Sequence, residues 1–251
     1  MMNKKKRRNS KSSIQEARRA LLSADKPFWY SEAYKMLRTN LSFVAGKQDD
    51  CTKISVTSTM PNEGKSVFAI NLAITLSENG ARVLLVDCDL RSPSVHRYLR
   101  VKENHLEGLS GVLSGSAELS ECIYFHPEYK FSFIAAGTVP PNPSELIGSN
   151  RMKQVVESLS GSFDYILFDT PPAGLVSDAL VLSRVVDGTV LVVRQGVTHR
   201  KQVRAVKQSL DDVHAKIFGV VLNECNLRDM EDHYSYQGGY YSDYGYGHFD
   251  D

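Results

Sequence analysis

Thr59-Met-Pro-Asn-Glu-Gly64-Lys65-Ser66 decides the reading of this chain, because of what stands on either side of it. Upstream, Lys53–Ser58 (KISVTS) reads as a short strand; downstream, 65–78 reads as a helix carrying Val67, Ile70, Leu72, Ala73 and Leu76. A Gly-Lys-Ser that follows a strand and opens a helix aims backbone N–H groups and a helix N-terminus at one point, which suits phosphate oxygens. Thr59 stands where the first glycine of that pattern is expected, but the loop N–H groups can still converge. Lys65 would then reach the terminal phosphates and the Ser66 hydroxyl would ligate Mg²⁺. The candidate nucleotide-binding residues run Thr59, Met60, Pro61, Asn62, Glu63, Gly64, Lys65, Ser66 and Val67. A plain strand–turn–helix could share the pattern, so the downstream chemistry must separate the two.

Two further stretches supply it. Val86-Asp-Cys-Asp-Leu-Arg91 closes the apolar run 82–87, and 165–169 (YILFD) is a hydrophobic run ending in Asp169, followed by Thr170-Pro-Pro172. Ligands in open α/β sheets sit beyond the carboxyl ends of strands, where these acids would project. Asp87 and Asp89, one residue apart, suit Mg²⁺ coordination and proton acceptance, although acids also end strands simply as caps. Asp169 ends its strand as a metal-holding carboxylate does. Ser66, Asp87, Asp89 and Asp169 are the candidate metal residues, and Lys65, Asp87 and Asp89 the candidate catalytic ones. Cys88 reads as a packing residue. The seven histidines show no ligand spacing, and no nucleophile triad is visible.

Further strands are expected at 131–136, 189–193 and 216–222, and helices at 32–44, 150–159, 177–184 and 199–213. Continuous apolar strands alternating with helices give an α/β fold, a doubly wound, mainly parallel sheet with helices on both faces. Within 251 residues one such domain is the simplest arrangement.

The net charge of +1, from 30 basic and 29 acidic residues, excludes a global field for nucleic acid, and none is expected as a partner. Four scattered cysteines read as reduced thiols, and no apolar run approaches the roughly 18–20 residues of a membrane span. A cytoplasmic chain is expected. The charge is nonetheless uneven. Residues 1–26 carry nine Lys or Arg against two acids, and 231–251 carry five acids and no Lys or Arg. That last stretch also holds Tyr234, Tyr236, Tyr240, Tyr241, Tyr244 and Tyr246 among glycines. It has too little apolar surface to offset ordering entropy. The expected organisation is a basic mobile segment at 1–26, a folded domain at 27–223 and a flexible tyrosine-rich tail at 224–251.

Pro61–Ser66, Leu84–Arg91 (LLVDCDLR) and Phe168–Pro172 (FDTPP) resemble the Walker A, A′ and B motifs of the bacterial protein-tyrosine kinases of capsular and exopolysaccharide synthesis. The resemblance spans nearly the whole chain. It includes Glu32–Asn40 (EAYKMLRTN), Pro140–Leu146 (PPNPSEL) and the tyrosine-rich end. It departs at Asn62, usually glycine, and at Lys35, usually arginine. It implies a P-loop NTPase-like fold and transfer of the γ-phosphate of ATP, with Mg²⁺, to protein tyrosine, above all the chain's own tail. It further implies a transmembrane chain-length adaptor whose cytoplasmic segment activates the kinase and recruits it to the inner face of the membrane. A homo-oligomeric ring in the unphosphorylated form and an opposing phosphotyrosine phosphatase complete the expectation. Glu32, Lys35 and Arg38 would be the subunit contact; from spacing alone they read as a solvated charged face. The rival reading is a nucleotide-switch ATPase of the division-site and chromosome-partitioning type. Those proteins carry a signature lysine where this chain has Met60.

Overall fold

The computed structural model describes residue 15 and residues 18–46, 50–102 and 106–225. The six tail tyrosines and most of the basic N-terminal segment lie outside the described residues. Among the described residues seven strands form one sheet in the spatial order β3-β4-β2-β5-β1-β6-β7. They are β1 (Thr52–Ser58), β2 (Val83–Asp87), β3 (Tyr124–His126), β4 (Phe131–Ile134), β5 (Tyr165–Asp169), β6 (Gly188–Arg194) and β7 (Ile217–Asn223). Every pairing is parallel except the β3–β4 hairpin at one edge. The sheet is therefore mainly parallel, as expected from the continuous apolar strands.

Both faces are covered. On one, α1 (Phe28–Ala45) lies over α2 (Lys65–Glu78), with the Tyr34 and Phe68 rings 6.1 Å apart. Every residue of α2 from Ser66 to Leu76 is buried, which is why its apolar residues follow no single stripe. On the other face α6 (Asn150–Ser160) buries Met152, Val155, Val156 and Leu159 against Leu84, Val86, Ile166 and Phe168. The Ser149 side chain caps it by accepting from Met152 N at 3.2 Å. The helix α8 (Arg200–Asp212) covers Leu191 and Val193 with Val206 and Leu210.

Four differences from the sequence reading concern elements too short to carry a period. The edge strand β3 was not expected, nor were the one-turn helices α3 (Val95–Tyr98), α4 (Leu109–Ser114) and α5 (Pro143–Ile147). The fourth strand stops at Ile134, because the Ala135 and Ala136 carbonyls turn to accept from Leu109 N and Ser110 N. The helix α7 is confined to Asp178–Leu182. The expected boundary after residue 26 is corrected. Leu21 and Leu22 are buried in the main core, and Leu22 N donates to Asn71 Oδ1 on α2 at 2.8 Å. The Tyr30 hydroxyl donates to Ala20 O, and Arg18 reaches the carbonyl of Arg97. Residues 18–26 thus belong to the folded domain; their basic composition masked two core leucines.

Candidate active site

Strand register builds the site before any side chain is considered. Asp87 is paired with Asp169 across β2 and β5, and Asp169 also stands opposite Val56 of β1. Parallel neighbours lie about 4.8 Å apart. Two carboxylates therefore emerge side by side at the carboxyl edge, next to the loop that leaves β1. Thr57 Oγ1 donates to Pro171 O at 2.8 Å and Thr170 Oγ1 to Val56 O at 2.9 Å, which ties the FDTPP segment to the end of β1.

The loop 59–64 needs two residues in the left-handed region. Asn62 has φ +64° and Gly64 has φ +89°. Asparagine tolerates that conformation better than most side-chain residues, so it can serve at the position where the resemblance leads one to expect glycine. At Gly64 there is no latitude: a Cβ would stand 2.0 Å from Asn223 Nδ2. Asn223, ending β7, donates that amide to Glu63 O at 3.0 Å. The buried Glu63 carboxylate folds back on the loop. It accepts from Thr59 N at 2.7 Å, Met60 N at 3.0 Å, the Thr59 hydroxyl at 2.7 Å and the Thr198 hydroxyl. Thr59, in place of a glycine, is thus held by both its N–H and its hydroxyl.

Lys65 Nζ points into the acids, 3.2 Å from Asp89 Oδ2 and 3.6 Å from Asp169 Oδ1. Burial alone would lower its pKa, but Asp169, Asp89 and Asp87 outweigh burial and hold it above the usual lysine value. Asp87 is completely buried. Its Oδ1 accepts from Asp89 N at 3.2 Å, and its Oδ2 from Ser94 N and Val95 N, each at 3.1 Å. Burial, with the Asp169 charge beside it, pushes its carboxyl up to about 7. Asp89 Oδ1 accepts from Ser92 N at 3.0 Å. Ser66 Oγ lies 3.1 Å from the Ser94 hydroxyl.

Asp169 is the conspicuous group. It is fully buried, and among the described residues neither carboxylate oxygen has a hydrogen bond of normal length; Lys65 Nζ pairs with Oδ1 at 3.6 Å, and Lys65 and the Ser66 hydroxyl are near enough to favour the ionised form. Burial pushes its pKa up, with Lys65 opposing. A buried carboxylate with free lone pairs, beside a serine hydroxyl and a lysine, fits a hydrated divalent cation. Among the described residues no three His, Cys, Asp or Glu side chains form a metal cage. Mg²⁺ does not require one, since it keeps waters and takes ligands from substrate phosphates.

Three supporting contacts were missed by the sequence reading. Arg91 grips Asp178 at 2.7 Å and 3.1 Å and Ser144 Oγ at 2.8 Å, drawing the PPNPSEL segment to the A′ turn. Ser94 and Thr198 carry no sequence signal for their roles, because tertiary packing alone brings them to the loop. Glu32, Lys35 and Arg38 lie on α1, apart from this centre. Lys35 pairs with Glu32 at 2.6 Å, and Arg38 Nη1 donates to Thr75 O of α2 at 2.9 Å.

Comparison with known proteins agrees with this geometry. An AAA domain family model matches residues 52–194. The tyrosine-protein kinase YwqD of Bacillus subtilis is 36% identical over 208 residues, which is 83% of this chain and 86% of the relative. The kinase domain of the Escherichia coli tyrosine kinase ETK superposes with a TM-score of 0.73 at 34% identity, covering 78% of each chain. The septum site-determining protein MinD of Pyrococcus horikoshii, solved with Mg-ADP, superposes with a TM-score of 0.59 at 26% identity, covering 72% of this chain and 76% of that one.

Proposed function

The chain belongs to the bacterial tyrosine-protein kinases, and from that premise we propose that Lys65, Ser66, Asp87, Asp89 and Asp169 together transfer the γ-phosphoryl group of Mg²⁺–ATP to tyrosine hydroxyls. The observation that carries the reading is the in-register pair Asp87–Asp169 facing Lys65 at the mouth of the phosphate loop. Bound Mg²⁺ would neutralise and orient the phosphate oxygens. Ser66 and Asp169 would hold it, Asp89 through water, with Asp87 at the edge of the same set. Thr59–Val67 would wrap the phosphates, and the Lys65 ammonium would stabilise charge on the transferring group. The tyrosine oxygen forms the new bond to phosphorus, the bond to ADP breaks, and the phenolic proton passes to Asp87. A free phenol has a pKa of about 10, so a buried acceptor poised near neutrality is well matched to it.

The acceptors we propose are the chain's own Tyr234, Tyr236, Tyr240, Tyr241, Tyr244 and Tyr246. A sequence this rich in tyrosine has a use in a kinase that it lacks in a nucleotide switch, and Met60 leaves the switch reading without its signature lysine. The wider setting follows the family: control of capsular or exopolysaccharide synthesis, an activating transmembrane adaptor, an opposing phosphatase, and a ring using Glu32, Lys35 and Arg38. No described helix is long and apolar enough to cross a membrane. The adaptor, by the family's pattern, would recruit the chain to the inner face of the membrane. The deciding experiment incubates purified protein with Mg²⁺–ATP and probes for phosphotyrosine, with Lys65→Met as control. Phosphotyrosine that appears only with Lys65 intact supports the reading; its absence with or without the adaptor's cytoplasmic segment overturns it.

A further inference from the structure

A second opening lies beside the acid cluster, on the side of the phosphate loop away from Thr198 and Asn223. Its volume is about 380 Å³, and it is framed by Ser92, Pro93, Arg97, Leu106, Thr138 and Val139. That is at the small end of the roughly 300–1,000 Å³ typical of ligand pockets, room for an aromatic side chain and a neighbour. The cavity and the acids share one wall. Ser92 N donates to Asp89 and Ser94 N to Asp87, with Pro93 between them. Tyr98, next to Arg97, sits close enough for Asp169, Lys65 and Asp87 to perturb it. A group filling this cavity is therefore adjacent to the proposed proton acceptor.

Its lining is mixed in a specific way. Leu106, Pro93 and the exposed Val139 offer apolar contact, while Arg97 is the cationic residue in the wall. One guanidinium nitrogen of Arg97 donates to Pro93 O, which holds the cation in the cavity wall. A guanidinium fixed in this way pairs more strongly with a carboxylate that reaches it than a free surface cation does. The surroundings make that anion a deliberate choice. Asp87, Asp89 and Asp169 would repel any acidic peptide approaching the centre, so an arginine at the entrance favours carboxylates that the centre itself rejects.

We propose that this cavity is the acceptor-tyrosine subsite and that Arg97 selects peptides with a carboxylate within two residues of the tyrosine to be phosphorylated. The proposal rests on the kinase reading above. The chain's own end has that chemistry: Asp243 follows Tyr241 by two residues and precedes Tyr244 by one, and Asp232 precedes Tyr234 by two.

The test uses the full-length protein, activated as needed by the adaptor's cytoplasmic segment, with Mg²⁺–ATP and two peptides. One is residues 238–248 of this sequence and the other is the same peptide with Asp243→Asn. Wild-type protein is expected to show a KM about five- to tenfold lower for the acidic peptide, at similar kcat. Arg97→Ala should erase that preference, and Arg97→Lys should restore part of it, with ADP affinity unchanged in both as a check on folding. Equal KM values on the wild type, or a preference that survives Arg97→Ala, overturn the subsite while leaving the kinase intact. Failure of wild-type protein to label either peptide while it labels its own tail overturns the subsite alone; failure to label peptides and tail alike overturns the kinase reading with it.

Discussion

Gly64→Ala isolates the geometry of the phosphate loop from its charge. The backbone there has φ +89° and ψ 14°, a conformation that costs a residue with a Cβ about 1–2 kcal/mol. The new methyl would also meet Asn223 Nδ2 at 2.0 Å and push the amide off Glu63 O. Loss of that hydrogen bond adds about 0.5–1.5 kcal/mol. A total of about 2–3 kcal/mol, if it falls on the binding-competent loop, weakens nucleotide affinity about 30- to 150-fold. The assay is titration with a fluorescent ADP analogue in Mg²⁺, run on Gly64→Ala, Asn223→Ala and the double variant. Asn223→Ala alone should lose about five- to tenfold. The double variant should bind no more weakly than Gly64→Ala, because the clash and the lost bond are the same event. Gly64→Ala binding within threefold of wild type, or fully additive losses, would refute the reasoning.

The remaining expectations concern charge. Lys65→Met should abolish phosphotyrosine formation while the far-ultraviolet circular dichroism spectrum stays that of wild type. Asp87→Asn should lower turnover far more than nucleotide affinity, whereas Asp169→Asn should raise the Mg²⁺ concentration needed for half-maximal activity; the reverse pattern would reassign the proton acceptor. Asp87 also predicts a pH effect. Its folded pKa of about 7 lies above the unfolded value of about 3.9, so the folded state binds more protons between the two and stability falls as pH rises through that window. Thermal midpoints of nucleotide-free wild type, measured against Asp87→Asn, should decline from pH 5 to 7 and level off above it. Finally, Lys65→Met protein mixed with active protein truncated after Asp229 should become labelled on its intact tail. A tail that stays unlabelled, while the active full-length chain labels itself at a concentration-independent rate, would make transfer intramolecular.

How much of this was legible depended on whether the signal was local. Helix α2 was read with its observed limits, Lys65–Glu78, because a glycine-lysine turn opens it and Asn79-Gly80 closes it. The strands carrying Asp87 and Asp169 were recognisable from apolar runs ending in acid. Their exact register was not, since nothing within either strand says which residue of the other it will face. Glu63 was read as one loop member among several. Its buried carboxylate holds Thr59 and Met60 through backbone N–H groups, and such bonds leave no trace in residue identity. Leu21 and Leu22 were lost for a different reason: a run of basic residues dominates the composition around two leucines that α2 covers through Asn71.

The same long-range pairing explains why the centre is built at a cost to the fold. Three carboxylates and one ammonium converge at the sheet edge, with Asp87 and Asp169 fully buried and adjacent. Burial disfavours the ionised form of each and is the first cause of their raised pKa; the Asp169 charge adds to it at Asp87, and the Asp89 charge adds to it at Asp169. A cation with its nucleotide, if bound by the folded state alone as proposed, would remove that conflict and stabilise the fold by mass action. Adjacency in the register is therefore not incidental to the chemistry. A chain that separated the two acids by one strand would be more stable when empty, and on the proposed mechanism it would lose the focused negative field that would attract the metal and prepare Asp87 to take a proton.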